Sequence, residues 1–84
     1  MTIDEVLKKR ILYRSNHRGS KEMDLLLGNF VQMYIDNLNN KDLEDLLQFL
    51  SIEDEILYHF FFNNVENDTI PKNKISKLFR KFNL

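Results

Sequence analysis

The residues best suited to chemistry lie in residues 10–28, where three Arg, one His and one Lys surround Gly19. At the centre, Arg18 and Glu22 place a guanidinium and a carboxylate four residues apart, on either side of that glycine. Such groups form strong charge-assisted hydrogen bonds to groups of opposite charge. From residue types alone, these charges suit either recognition of another molecule or a local structural role.

Groupings typical of catalysis or metal binding are missing from the sequence. It contains no cysteine, which excludes disulfides, thiolate metal sites and cysteine nucleophiles. Two glycines do not make a phosphate-binding loop, and His17 and His59 lack metal-ligand spacing. The acids around Asp54 fit the start of a helix, where negative charge is favourable. We therefore predict a protein that is not an enzyme, with no catalytic residue, no metal and no stably bound cofactor.

The spacing of apolar residues predicts an all-α fold, a compact bundle of about five short helices forming one domain over residues 1–84. A chain of 84 residues with 43% apolar content can bury one modest core. Apolar residues recur three and four positions apart, as on one face of a helix. The predicted helices cover about residues 3–13, 21–37 and 43–50, then a fourth helix that follows Ser51 and reaches Phe61, and a fifth over 71–82.

Four residues are expected at helix starts. Thr2 with Glu5 matches a capping box, and Ser20 is placed to cap the second helix. Ser51 is predicted to cap the fourth helix, and Pro71 to open the fifth.

The charges are unevenly distributed, with basic ends flanking an acidic middle. Residues 1–22 hold six Lys or Arg against three acids, whereas residues 23–71 hold one Lys against ten acids. The basic N-terminal part leaves open an alternative function, a small helical nucleic-acid-binding protein. The sequence pI of about 6.1 argues against it, because such domains are usually basic overall.

No apolar run approaches the roughly 20 residues that a membrane-spanning helix needs. The N-terminus carries Asp4 and Glu5 and lacks the features of a signal or transit peptide. We expect a monomer in a bacterial cytoplasm, without direct membrane insertion.

A purely local interpretation of residues 14–22 is available. Gly19 would end a helix in a left-handed conformation, which disfavours residues with a Cβ. Arg14 and Arg18 would neutralise terminal helix carbonyls, and Glu22 would lie at the positive end of the next helix dipole. Spacing alone favours this interpretation over a docking role.

A resemblance to a known family favours docking instead. Residues 18–22 fit the RGxxE motif of the FAD assembly factors of succinate dehydrogenase, and residues 10–15 and 23–30 resemble that family's flanking segments. The resemblance continues more weakly to Tyr58 and fades after Asn64. Its five-helix fold also agrees with the helices predicted above.

The resemblance implies a function that the periodicity does not. Such proteins bind the flavoprotein subunit of succinate dehydrogenase, and often of related fumarate reductases. They promote formation of the covalent bond between FAD and a histidine of that subunit, and the bond-forming chemistry belongs to the flavin and the partner. Arg18 and Glu22 would contact the partner, and Gly19 would let the two backbones approach closely. The implied partner-binding residues are Arg14, His17, Arg18, Gly19, Glu22 and Asp24.

An aromatic cluster in the fourth predicted helix departs from the family. Phe60 stands where many relatives carry Trp, and Asn63 and Asn64 stand where Gly is frequent. The aromatic residues from Tyr58 to Phe62 cover more than one helix face, so at least one should be exposed. Tyr58 and Phe60 are candidate aromatic anchors for a partner. The alternative, that these rings fill a small core, remains open.

Overall fold

The computed structural model describes residues 2–84, which form an all-α protein with no strand in that range. The prediction of an all-α fold with five short helices is confirmed. A short 3₁₀-helix, Ile35–Asn37, tightens the end of the second helix. The α-helices are α1 Ile3–Asn16, α2 Lys21–Tyr34, α3 Asn40–Phe49, α4 Asp54–Asn63 and α5 Lys74–Lys81.

The first two helices begin where the sequence predicts. The Thr2 hydroxyl accepts a hydrogen bond from the Glu5 N–H at 3.1 Å, and the Ser20 hydroxyl accepts one from the Met23 N–H at 3.3 Å. Each bond satisfies one of the backbone donors left free at a helix start. The first helix extends to Asn16, three residues beyond the predicted end. The turn that follows is therefore shorter than expected.

The predicted start of the fourth helix is wrong in its capping residue. Asp54 is the first residue of α4 and Glu53 occupies the cap position, without a side-chain hydrogen bond. Ser51 instead donates its hydroxyl hydrogen to the Gln48 carbonyl at 2.5 Å. Ser51 therefore belongs to the end of α3, because its hydroxyl satisfies one of the carbonyls left free there.

Pro71 does not open the last helix, which begins at Lys74. Asn73 caps it through a reciprocal pair of hydrogen bonds with Ser76, both at 3.1 Å. This capping box satisfies two backbone donors at once, whereas a proline only lacks one. The stronger signal, at Asn73 two residues after Pro71, sets the boundary.

Aromatic rings dominate the centre of the core. The centroid of the Phe79 ring lies 5.0 Å from that of Phe30 and 5.1 Å from that of Phe49, and both pairs are edge-on. Such geometry is favourable beyond the area that it buries. Ile35 is part of the core, whereas Leu25 is exposed. The core contains Ile11, Met23, Leu26, Leu27, Phe30, Val31, Ile35, Leu43, Leu46, Phe49, Leu50, Leu57, Phe60, Ile70, Ile75, Phe79 and Phe82.

Packing between the helices places two chain reversals side by side. α1 packs against α2 and α3, and α5 packs against α3 and α4. An ion pair between Lys74 and the buried Asp42, at 3.1 Å, ties α5 to α3. The turn between α1 and α2 consequently lies against the turn between α3 and α4, as the contacts of Arg18 below demonstrate. Within the described residues, no helix is long and apolar enough to cross a membrane.

Candidate partner-docking site

The turn between α1 and α2 is held by a backbone contact to the first turn of α2. The Arg18 N–H donates to Oδ1 of Asp24 at 2.6 Å. Asp24 is therefore partly buried and serves the local fold, since its carboxylate closes the turn that precedes its own helix. The sequence placed Asp24 among the partner-binding residues, and the structure gives one of its oxygens an acceptor role within the chain.

The Arg18 side chain points into the protein, where its guanidinium spans the end of α3 and the start of α4. Its Nε donates to Oδ1 of Asp54 at 2.8 Å, and the same oxygen lies 2.7 Å from Nη2. Nη1 donates to the Leu50 carbonyl at 2.6 Å, and Nη2 donates to the Ile52 carbonyl at 3.0 Å. A cation is favourable near carbonyls that a helix end leaves free. Only 10% of the Arg18 side chain is exposed.

Gly19 is bound to the same carboxylate. Its N–H donates to Oδ2 of Asp54 at 2.9 Å, so one aspartate holds two consecutive residues of the turn. Neither glycine of the chain has a positive φ. The predicted left-handed conformation of Gly19 is therefore wrong. A Cβ at this position would lie 3.2 Å from Oδ2 of Asp54, which is a tight contact. We call Arg18, Gly19, Asp24 and Asp54 the Arg18 corner.

These contacts correct one expectation and confirm part of another. Arg18 was expected to extend toward a partner, but all three of its guanidinium nitrogens face acceptors of its own chain. The local interpretation, in which Arg18 neutralises helix carbonyls, is confirmed, although the main carbonyls belong to the α3–α4 connection. Asp54 is a residue that the sequence did not assign to the site. Locally, the sequence shows Asp54 only as an acid at the start of a helix. Its partner Arg18 lies 36 positions away, so the local sequence does not indicate the contact.

Other residues implied by the resemblance face outward beside the Arg18 corner. Arg14, His17 and Glu22 are exposed. The His17 ring stacks on Tyr13 at 3.9 Å between ring centroids, and its Nδ1 lies 2.7 Å from the Tyr13 carbonyl oxygen. In the described part of the chain, the side chains of Arg14 and Glu22 form no hydrogen bond or ion pair. They are charged groups available to another molecule.

A groove on α1 continues this outward surface. It has a volume of about 460 Å³ and is lined by Lys9, Arg10, Tyr13 and Arg14. Three cations around an exposed ring favour an acidic or aromatic ligand group. No His, Cys, Asp or Glu lines the groove, and no group of these residue types among residues 2–84 could hold a metal ion. The three cations and the exposed ring suit recognition of such a ligand.

The aromatic cluster divides between core and surface. Phe60 is 4% exposed, and the Arg80 guanidinium carbon lies 4.2 Å from its ring centroid. The idea of Phe60 as an exposed anchor is therefore corrected, because its ring is part of the core. Tyr58 is 41% exposed and Phe62 46% exposed, with 4.7 Å between their ring centroids. Phe62 was not assigned from sequence, although its position four residues after Tyr58 was a usable signal.

Comparison with known proteins places the chain in a family. Residues 9–83 match the family model described as flavinator of succinate dehydrogenase. The chain belongs to this family. The FAD assembly factor SdhE of Acetobacter pasteurianus is 30% identical over 74 residues, which are 88% of this chain and 65% of that protein. The resemblance predicted from residues 10–30 is thereby confirmed at the level of the family.

Fungal relatives carry the same assignment. The mitochondrial succinate dehydrogenase assembly factor 2 of Lodderomyces elongisporus is 33% identical over 84 residues, covering 95% of this chain and 51% of the relative. The protein of that name from Meyerozyma guilliermondii is 33% identical over 67 residues, covering 80% of this chain and 50% of the relative. The chain thus spans about half to two thirds of the length of these relatives. No solved structure matches the chain significantly. Nothing in these comparisons supports the nucleic-acid-binding alternative.

Proposed function

We propose that this chain binds the flavoprotein subunit of succinate dehydrogenase and promotes the covalent attachment of FAD to it. The observation that carries this function is the match of residues 9–83 to the flavinator family. A relative named FAD assembly factor and others named succinate dehydrogenase assembly factor support it. In this proposal the chain is a single-domain monomer of a bacterial cytoplasm, and the fumarate reductase flavoprotein is a second partner.

The chain acts as an accessory factor and not as an enzyme. Its outward surface offers charges and an aromatic stack, which suit the binding of a polypeptide. In this proposal the reacting atoms belong to the flavin and to a side chain of the flavoprotein, and the chain holds the flavoprotein in a competent geometry. Positioning of reacting groups can lower a barrier by several kcal/mol, on the order of 7–11 kcal/mol in the best intramolecular cases. FAD stays with the partner, and the chain itself does not retain it.

The docking surface combines opposite charges close to a rigid turn. Glu22 meets a basic group of the flavoprotein, and Arg14 meets an acidic one. His17, stacked on Tyr13, presents a flat ring between them. Tyr58 serves as an aromatic anchor at the edge of the interface. Because the Arg18 corner fixes the turn before binding, little ordering free energy is lost on association.

The function is tested with purified apo-flavoprotein, FAD and this chain, by in-gel fluorescence of covalently bound flavin. We expect the chain to raise the yield and Glu22→Gln to lower it. Glu22 is exposed and without a partner in the described residues, so Glu22→Gln should lower the free energy of unfolding only by the helix-dipole contribution, about 0.3–1 kcal/mol. Glu44→Gln, which neutralises another exposed glutamate, on α3, is the control for the change in net charge.

The outcomes separate the parts of the proposal. An unchanged flavin yield on adding the wild-type chain would overturn the function. A normal yield with Glu22→Gln would remove Glu22 from the docking surface. The accessory role is contradicted if the isolated chain retains FAD in a 1:1 ratio after gel filtration. The same assay with the fumarate reductase flavoprotein decides whether it is a second partner.

A further inference from the structure

We infer that Asp54 is a positioning residue for docking: its carboxylate holds Arg18 and Gly19 in the geometry that presents the turn between α1 and α2 to the partner. This inference rests on the proposed function. It assigns a role to a residue on α4, well separated in sequence from the outward charges, and it assigns Gly19 a partner within its own chain.

The Asp54 carboxylate is the charged acceptor from α4 that binds the turn between α1 and α2. Oδ1 of Asp54 receives Nε of Arg18 at 2.8 Å and lies 2.7 Å from Nη2. Oδ2 receives the Gly19 N–H at 2.9 Å. Hydrogen bonds to an ionised group are about twice as strong as neutral ones. Only 10% of the Arg18 side chain and 28% of the Asp54 side chain are exposed, so water competes less for these bonds than for those of a fully exposed pair.

The same geometry explains the glycine. Gly19 does not have a positive φ, so its backbone conformation is open to other residues. A Cβ there would lie 3.2 Å from Oδ2 of Asp54, the atom that receives the Gly19 N–H. Any side chain at position 19 must therefore displace the carboxylate by a few tenths of an ångström. The close approach of Asp54 therefore favours a glycine at position 19 through a contact within the chain itself.

The corner connects directly to the outward groups. Nη1 of Arg18 also lies 3.4 Å from the Arg14 carbonyl oxygen, at the end of α1. The Arg18 N–H is bound to Asp24 in the first turn of α2, the turn that carries Glu22. Release of Arg18 by Asp54 would therefore loosen the relative placement of Arg14 and Glu22. A partner that needs both charges would then bind only the fraction of molecules with the correct placement, and its apparent affinity would fall by that fraction.

Two variants and their combination test this role, with Glu55→Ala as the matched control. Glu55 shares the first turn of α4 with Asp54, carries the same charge and is exposed, so its removal reproduces the change in net charge and helix dipole. The variants are Asp54→Ala, Gly19→Ala and the double variant. The first readout is the concentration of chain that gives half-maximal covalent flavinylation, together with the maximal rate. The second is NMR amide exchange of Arg18 and Gly19 in the isolated chain.

We expect Asp54→Ala to raise the half-saturating concentration by roughly tenfold to a hundredfold, the effect of losing a hydrogen bond to a charged group, with the maximal rate retained. Exchange of the Gly19 amide should accelerate by a comparable factor. Gly19→Ala alone should give a smaller increase, since the carboxylate can shift slightly. In the Asp54→Ala background, Gly19→Ala should add nothing, because the atom that it would crowd is gone. Glu55→Ala should behave as wild type.

Three results would overturn the inference. One is a Gly19→Ala effect of undiminished size in the Asp54→Ala background, which would mean that the glycine serves the partner directly. Another is an equal effect of Glu55→Ala, which would mean that the change in net charge alone explains the result. The third is unchanged exchange of the Gly19 amide in Asp54→Ala, which refutes the corner even if wild-type chain fails to promote flavinylation. If Asp54→Ala does not fold, Asp54→Asn keeps one acceptor oxygen and should give an intermediate shift, whereas a wild-type value would count against the role.

Discussion

Replacement of Arg18 by methionine should cost this protein a large part of its stability. Arg18→Met keeps the aliphatic stem and removes the charge and every side-chain donor. The Asp54 carboxylate would keep only the Gly19 N–H, and the carbonyls of Leu50 and Ile52 would lose the guanidinium. Removing one member of a buried ion pair costs about 3–5 kcal/mol. Because 28% of the Asp54 side chain is exposed, water can replace part of the lost bonding, and we expect about 2–3 kcal/mol.

The expected loss is a measurable fraction of the total free energy of unfolding. The free energy of unfolding of a domain is about 0.05–0.15 kcal/mol per residue, so for a chain of 84 residues it should be roughly 4–13 kcal/mol. Arg18→Met should therefore fold but reach its urea midpoint much earlier when followed by far-ultraviolet circular dichroism. Arg14→Met is the matched control, since the Arg14 side chain is exposed and has no partner in the described residues.

The control should lie within about 0.5 kcal/mol of wild type, as surface substitutions usually do. Arg14→Met should nevertheless lower flavinylation, if its charge meets the partner as proposed. Equal unfolding free energies for Arg18→Met and wild type would refute the reasoning. That result would mean that water solvates Asp54 and the two carbonyls as well as the guanidinium does.

Two further substitutions test the core and a helix start. Phe79→Ala should lower the free energy of unfolding by about 3–5 kcal/mol, because its buried ring contacts Phe30 and Phe49; a loss below about 1 kcal/mol in urea titration would argue against this packing. Asn73→Ala should cost about 0.5–2 kcal/mol by removing the cap of α5, whereas the neighbouring Lys72→Ala should not. Identical melting temperatures for the two variants would show that the cap adds nothing.

Helix positions were predictable because apolar spacing records which face of each helix is buried. The buried residues of α2 recur three and four apart, from Met23 to Val31. Helix starts were less predictable, since several residues near one boundary can each cap a helix. Pro71 and Asn73 compete for the start of α5, and the reciprocal bonds with Ser76 favour the asparagine. Leu25 is apolar yet exposed, because the buried face of α2 is narrower than its apolar surface.

The site was less predictable than the fold because its decisive contacts are long-range. Nothing near Arg18 in sequence indicates that its guanidinium is buried, since the acceptor carboxylate comes from Asp54. The same limit applies to α4, because its consecutive aromatic residues do not indicate which side of the helix, its phase, faces the core. Packing against α5 settles that phase, because Phe60 lies under Arg80 and beside Phe79, while Phe62 faces outward.

In the proposed docking mode, residues 18–22 serve two different purposes across a single turn. Arg18 and Gly19 are bound to Asp54 inside the chain, whereas Glu22 lies exposed in the first turn of α2, where the helix dipole favours a carboxylate. Substitutions at the inward positions should therefore weaken folding and docking together. A substitution at Glu22 should weaken docking with only a small loss of stability. The fixed spacing between the two groups matters because the corner sets the direction in which α2, and with it the carboxylate, leaves the turn.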